Sequence, residues 1–381
     1  MTSPQMIPLP RHKLMIPGPV PLSDSAAEAL AAPVQAHYGP AWVGIHNETL
    51  GLLRQIFVTE GDVLLLAGSG SAGLDAAIGS LLAPGEVGLI GVNGYFGQRL
   101  AAIARAHGAE VVEVTAEWGE PLAPAAFESA LRQHPEAKAV ITTHVETSTG
   151  VVNPVREIAH LANVRGVPMM ADAISSLGGV EFAMEAWGID LCVSASQKCL
   201  GGPAGLAPVA VGPRAWAAIE KRLAVAPGPG WYLNLQTWRE FAQSQKDWHP
   251  FPVTMPTNVV LSLRAGLCEL LAEGIPQRWQ RYQTLAARLR AGLQNSGFRP
   301  LAEAACAAPV VTAARSLLGI PSGRVVEFLE RAHGIKIAGG GLGPLQHTVF
   351  RVGHMAPSIA ERDIDDVLTA LEDFKRQVGE A

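Results

Sequence analysis

The chain has 381 residues, more than one hydrophobic core usually serves, so two domains are expected. With 48% apolar and only 17% charged residues, it is excluded from the disordered classes and has apolar surface enough for a large core. A net charge of −5 with no long run of either sign argues against nucleic acid and against an anionic membrane as partners.

The first ten residues include Pro4, Pro8 and Pro10 and no long apolar run, so they do not read as a signal peptide. No window approaches the ~20 apolar residues of a membrane span. The last residues, Val378 to Ala381, are not a peroxisomal address. From about residue 60 to 215, short apolar runs alternate with helical patterns. Strands are expected over 63–67, 87–92, 111–114, 139–143, 167–171, 191–193 and 207–211. Helices are expected over 72–82, 96–107, 124–134 and 154–164, the last opened by Pro154. This alternation predicts an α/β fold with a mostly parallel sheet covered by helices on both faces. Residues 224–256 are rich in Pro, Gly and Trp, with little regular pattern. Helices over 259–272 and 276–293, a strand near 309–313, a helix over 322–333, a Gly-rich loop, a strand near 348–352 and a helix over 359–376 then read as a smaller α+β unit. The expected division is an N-terminal arm (1–22), a large domain (23–256) and a small C-terminal domain (257–381).

A parallel sheet binds ligands at the carboxyl ends of its strands, and the candidate residues all fall there. Gly68-Ser69-Gly70-Ser71-Ala72-Gly73 joins a strand to a helix, where free amides and the positive helix end suit a phosphate. The same loop matches G-x-G-x-x-G. A dinucleotide site would need an acidic residue at the end of the next strand, which instead reads Gly91-Val92-Asn93. A bare tight turn is the third reading of that loop. In Asn93-Gly94-Tyr95-Phe96-Gly97-Gln98-Arg99, an aromatic at a strand end can stack on a flat ring or simply enter the core. Thr143-His144-Val145-Glu146-Thr147-Ser148-Thr149-Gly150 concentrates hydroxyls at another strand end.

Lys198 stands in Ser196-Gln197-Lys198-Cys199-Leu200-Gly201-Gly202-Pro203, just past the apolar run 191–193. A lysine confined there loses some of its preference for the charged form and can act as nucleophile and base. Asp172 ends the apolar run 167–171. Pyridoxal phosphate needs such a pair: an amine for its aldehyde and a carboxylate that keeps its pyridine nitrogen protonated. Two unrelated polar strand ends are the alternative. Arg351, inside the apolar Val349-Phe350-Arg351-Val352-Gly353, calls for an anion, either a substrate carboxylate or a structural ion-pair partner. The four cysteines form no C-x-x-C pair, which suits a reducing, cytoplasmic compartment, and the eleven histidines show no metal-ligand spacing.

Together these segments resemble the class V, fold-type I aminotransferases of the alanine–glyoxylate and serine–pyruvate family. The resemblance runs over nearly the whole chain. It takes in Pro17-Gly18-Pro19, the Gly68–Ser71 loop, Asn93–Arg99, and Thr143–Gly150 against the family's T-H-x-E-(S/T)-S-T-G. It continues through Asp172-Ala173-Ile174-Ser175-Ser176-Leu177-Gly178-Gly179, Ser196-Gln197-Lys198, Gly340-Gly341-Leu342-Gly343-Pro344 and Arg351-Val352-Gly353. It implies that Lys198 binds the cofactor aldehyde covalently, that Asp172 pairs the pyridine nitrogen, and that Phe96 stacks on the ring with Thr147 near the ring oxygen. Ser69, Gly70, Ser71 and Gln197 would hold the phosphate, and Gly18 and Arg351 would meet the substrate. It implies a homodimer with the active site at the subunit interface, where Thr254 in Phe251-Pro252-Val253-Thr254 would reach the partner's phosphate. The substrates would be a small amino acid and a 2-oxo acid.

Three departures from the family pattern stand out. Phe251 replaces a frequent Tyr, Phe96 a common Trp, and Ser71 the His of some members. The stretches 251–256 and 353–357 also resemble pyridoxamine–pyruvate aminotransferase, which leaves the donor open. No second arginine is evident for a donor's side-chain carboxylate. A cysteine desulfurase reading would require Cys306 as a mobile nucleophile, although its apolar setting reads as buried and inert. A cofactor-free scaffold is the non-enzymatic alternative.

Overall fold

The structure is a computed structural model that describes residues 11–339 and 342–379. Gly340 and Gly341 of the glycine-rich motif, the first ten residues and the last two lie outside the described residues. In chain order the elements are β1 (Lys13–Met15), α1 (Asp24–Leu30), α2 (Pro40–Phe57), β2 (Asp62–Ala67), α3 (Gly70–Leu81), β3 (Val87–Val92), α4 (Tyr95–Ala106), β4 (Glu110–Thr115), α5 (Pro124–Gln133) and β5 (Ala139–Thr143). A two-strand ribbon of β6 (Val145–Glu146) and β7 (Val151–Val152) precedes α6 (Val155–Val164), β8 (Met169–Asp172), β9 (Leu191–Val193), β10 (Leu206–Val211), α7 (Pro213–Val225), α8 (Leu235–Ser244) and α9 (Thr257–Glu273). The chain ends with α10 (Ile275–Asn295), β11 (Arg299–Pro300), β12 (Val311–Arg315), α11 (Ser322–His333), β13 (Ile335–Ile337), β14 (Val349–Gly353) and α12 (Glu361–Gly379).

The central sheet has seven strands in the order β2-β10-β9-β8-β5-β3-β4, and only β10 runs antiparallel to its neighbours. Strands β3, β5, β8, β9 and β10 are buried along their whole length. That is why their sequences are unbroken apolar or small-residue runs, since both faces are covered. The edge strand β4 reads Glu-Val-Val-Glu-Val-Thr, with both glutamates exposed, a pattern that discourages pairing with another chain. Helix α3 lies close on the sheet because Gly73 has no side chain: a Cβ there would stand 2.8 Å from Val193 Cγ1 and 2.9 Å from Ala207 Cβ.

The first core fills both faces of this sheet and takes in Val260, Leu263, Leu267 and Leu270 of α9, which packs on α1 and α2. A second core, with Tyr282, Leu289, Phe298, Phe350 and Phe374, lies between α10, α11, α12 and the antiparallel sheet β11-β12-β14. β1 pairs in parallel with β13, so the N-terminal segment is tied to the C-terminal unit before it crosses towards the central sheet. Helix α8 lies inside the stretch where no regular element was expected. Asn234 caps it by accepting from Gln236 N at 3.1 Å, and Leu235 and Trp238 anchor it in the first core. No described helix is long and apolar enough to cross a membrane.

Candidate active site

The carboxyl ends of β2, β3, β5, β8 and β9 open on one cavity of about 180 Å³. Ser69, Gly70 and Ser71 reach it from the N-terminus of α3, and Phe96 and Arg99 from α4. Thr147, Asp172, Gln197 and Lys198 line it from the loops and strand ends of the sheet, and Gly18 from the N-terminal segment. The loop carrying Lys198 is fixed by its own hydrogen bonds: Gly201 N donates to Lys198 O and Gly202 N to Ser196 O, both at 2.9 Å. The Lys198 Nζ donates to Pro17 O. Gly18 has φ +93°, and a Cβ there would lie 2.6 Å from Lys198 Cδ, so only glycine lets the N-terminal segment pass over the lysine.

Asp172 is the last residue of β8 and is buried, with Oδ1 accepting from Ile174 N at 2.9 Å. Burial raises its carboxyl to about 7; the Ile174 hydrogen bond opposes this, Glu146 adds to it, and Lys198 and Arg99 oppose it. Burial lowers the Lys198 ammonium to about 8, with Arg351 and Arg99 adding to the effect and Asp172 opposing it. The acid and the base are thus drawn towards neutrality from opposite sides, a pattern concentrated at functional sites.

Arg351 is locked in β14 by paired backbone bonds to Ala338, 2.8 and 3.0 Å. Its side chain is buried and is not part of the cavity lining, but its Nη1 donates to Thr147 O at 3.5 Å. Its Nε has no partner among the described residues, and burial lowers the guanidinium to about 10. The buried Gln197 Oε1 also lacks a partner. Thr147 Oγ1 donates to Ser175 Oγ at 2.6 Å.

Two residues of the site carried no role in the sequence reading. Glu146 is buried and accepts from Phe96 N (3.1 Å), Gly97 N (3.0 Å) and Ser148 N (3.0 Å), so it ties the start of α4 to the loop after β5. A Cβ on Gly94 would stand 2.4 Å from Glu146 Cγ, which explains the glycine before Tyr95. Arg99 follows Phe96 by three positions, so a helix starting at Tyr95 puts both on one face. That helix start was the available signal.

The segment expected at a partner's phosphate divides. Phe251 is 1% exposed, its ring packed on His46 and His249 with centroids 5.0 and 4.5 Å apart, so it belongs to its own chain's core and is closed to a partner. Thr254 is exposed and lies outside the cavity lining. Cys306 lies in a separate groove with His144 and Arg290, and burial raises its thiol. Among the described residues, no group of three or more His, Cys, Asp or Glu converges to hold a metal.

A buried amine, a carboxyl, an aromatic ring, a helix N-terminus and two buried polar atoms without partners make a donor set that fits a phosphorylated pyridine aldehyde. The class-V aminotransferase family model matches residues 43–355. An uncharacterized aminotransferase of Methanocaldococcus jannaschii is 34% identical over 366 residues, 96% of this chain and 93% of that protein. An alanine–glyoxylate aminotransferase of Drosophila melanogaster is 31% identical over 96% of this chain and 92% of that protein. The crystal structure of an alanine–glyoxylate aminotransferase from Nostoc sp. superposes with a TM-score of 0.92, covering 98% of this chain and 97% of that one at 31% identity. The fold is therefore that of the fold-type I pyridoxal phosphate enzymes. Within them the chain belongs to the class-V aminotransferases, and it is a pyridoxal phosphate-dependent transferase.

Proposed function

We propose that this enzyme moves an amino group from a small amino acid, alanine or serine, to glyoxylate or pyruvate in two half-reactions. The observation that carries the reading is the convergence of a lysine lowered to about 8 and an aspartate raised to about 7 on one cavity, beside a buried guanidinium with a free Nε. The names of the Drosophila and Nostoc relatives support alanine and glyoxylate as substrates.

The chemistry supplied by bound pyridoxal phosphate is an electrophilic carbon and a ring that accepts the electron pair left by the departing α-proton. In this proposal Lys198 would hold the cofactor and, when free, would accept and give back a proton at Nζ. An amine near neutrality suits both steps. Asp172 would hold a ring N–H⁺ by charge and hydrogen bond, and Phe96 would cover one ring face. Thr147 would lie near the ring oxygen, and Ser69, Gly70, Ser71 and Gln197 would bind the phosphate. Arg351 would take the substrate carboxylate through its guanidinium fork, with Gly18 leaving room for it.

We also propose a cytoplasmic homodimer in which Thr254 serves the partner's cavity. Exposed Trp248, which shortly precedes this segment in the chain, stacks on exposed Tyr38 at 5.5 Å and supports an interface there. Light scattering of the purified protein tests the dimer. The substrate assignment is tested by mixing the yellow enzyme singly with alanine, serine, aspartate, cysteine and pyridoxamine. Alanine or serine is expected to bleach the visible band and glyoxylate to restore it. A response to pyridoxamine alone would move the assignment to the vitamer-using relative, and sulfide release from cysteine would move it to a desulfurase.

A further inference from the structure

We propose that Arg99 is the cation that meets the cofactor's phosphate in this chain. The inference rests on reading Ser69-Gly70-Ser71 as the phosphate cradle. A phosphate monoester brings a charge of about −1.5 to −2. The cradle itself offers only neutral donors and a helix end worth about half a charge. Three cations lie in or beside the cavity. Lys198 is committed to the aldehyde, and Arg351 is held against Thr147 O and is not part of the cavity lining. Arg99 is the one beside the cradle, with its Nη1 donating to Ser71 Oγ at 3.5 Å.

The surroundings of Arg99 fit that role. Among the described residues no carboxylate lies within 4.0 Å of it to consume its charge. Its Cζ lies 4.8 Å from the Phe96 ring centroid and 5.2 Å from that of Tyr95. Aromatic faces hold the guanidinium in place and leave its N–H edge free for an anion. Phe251 has no hydroxyl and is shut inside its own core, so it offers the phosphate no donor. Arg99 would supply the positive charge from within the same chain.

The test compares pyridoxal phosphate with pyridoxal, which lacks the phosphate. Both are titrated into cofactor-stripped protein and followed by visible absorbance, for the wild type, Arg99→Gln and Arg99→Lys. Arg99→Gln is expected to weaken pyridoxal phosphate by roughly ten- to a hundredfold and pyridoxal by less than about twofold. Arg99→Lys should recover part of the difference. Inorganic phosphate should compete with pyridoxal phosphate less strongly in Arg99→Gln than in the wild type. Equal weakening of both ligands in both variants would make Arg99 a structural residue and overturn the proposal. So would unchanged pyridoxal phosphate affinity with a raised KM for aspartate as donor, which would assign Arg99 to a substrate side chain. A wild type that binds neither ligand would overturn the cofactor assignment itself, whereas a failure confined to the variants overturns only the role of Arg99.

Discussion

Arg278 and Arg351 lie in two regions that handle buried positive charge differently. Where α9 meets α10, Arg278 is 2% exposed and its Nε donates to Glu273 at 2.7 Å, while Arg281 donates to the same carboxylate at 2.7 Å. Burial pushes the Glu273 carboxyl up, but hydrogen bonds and charges from Arg281 and Arg278 outweigh it and hold the carboxyl below the usual range. Arg278 also reaches Cys199 O at 3.3 Å, behind Lys198. Around the cavity, Arg351, Arg99 and Lys198 have no carboxylate within 4.0 Å among the described residues. The first region satisfies its charge internally and fixes the scaffold. The second leaves its charge open, which makes sense where an anionic ligand completes the site.

The sharpest way to break this comparison is at Lys198. Lys198→Ala should lower turnover by at least about a thousandfold and abolish the visible band of the purified enzyme, because nucleophile and base are lost together. Steady-state assay and absorbance check both.

Asp172→Asn should lower turnover by about a hundredfold or more. It should also change how stability depends on pH. The folded carboxyl is raised to about 7 from 3.8, so its contribution is fully present below pH 3.8 and is lost as pH rises through about 7. Melting temperatures of the cofactor-stripped wild type should fall relative to Asp172→Asn across that window. A constant difference between the two would contradict the assigned shift.

The paired and open arginines should then separate by readout. Glu273→Gln leaves Arg278 buried without its counter-charge and should cost about 3 kcal/mol of stability with KM unchanged. Arg351→Gln should raise the KM for both amino and oxo acids by roughly ten- to a hundredfold with little change in unfolding midpoint. If both variants moved the same quantity, the distinction between the regions would fail. The smallest effect is expected for Gly94→Ala, which presses a methyl group against Glu146 and should cost about 1–3 kcal/mol in a denaturant titration.

The open region was more legible in the sequence than the paired one. Lys198 and Asp172 announce themselves because a charged residue closing an apolar strand is locally conspicuous, and parallel strands bring such ends together. The loops at Ser69, Phe96 and Thr147 are each continuous in sequence, so their positions followed from the strand ends. Arg99 falls three positions after Phe96 within the expected helix over 96–107, but only the packing of α4 on α3 sets it beside Ser71. Phe251 owes its burial to His46, about 200 residues away on α2, a contact that no local pattern encodes. The short helix α8 was hidden because its neighbours are Pro, Gly and Trp, and tertiary packing of Leu235 and Trp238 holds it.

The most direct measurement is to reduce the pyridoxal phosphate-loaded enzyme with borohydride, digest it and map the modified peptide by mass spectrometry. One cofactor adduct is expected, on Lys198, and it should disappear if alanine is added before the reductant. An adduct on another lysine, or none on a protein that carries the cofactor, would contradict that expectation.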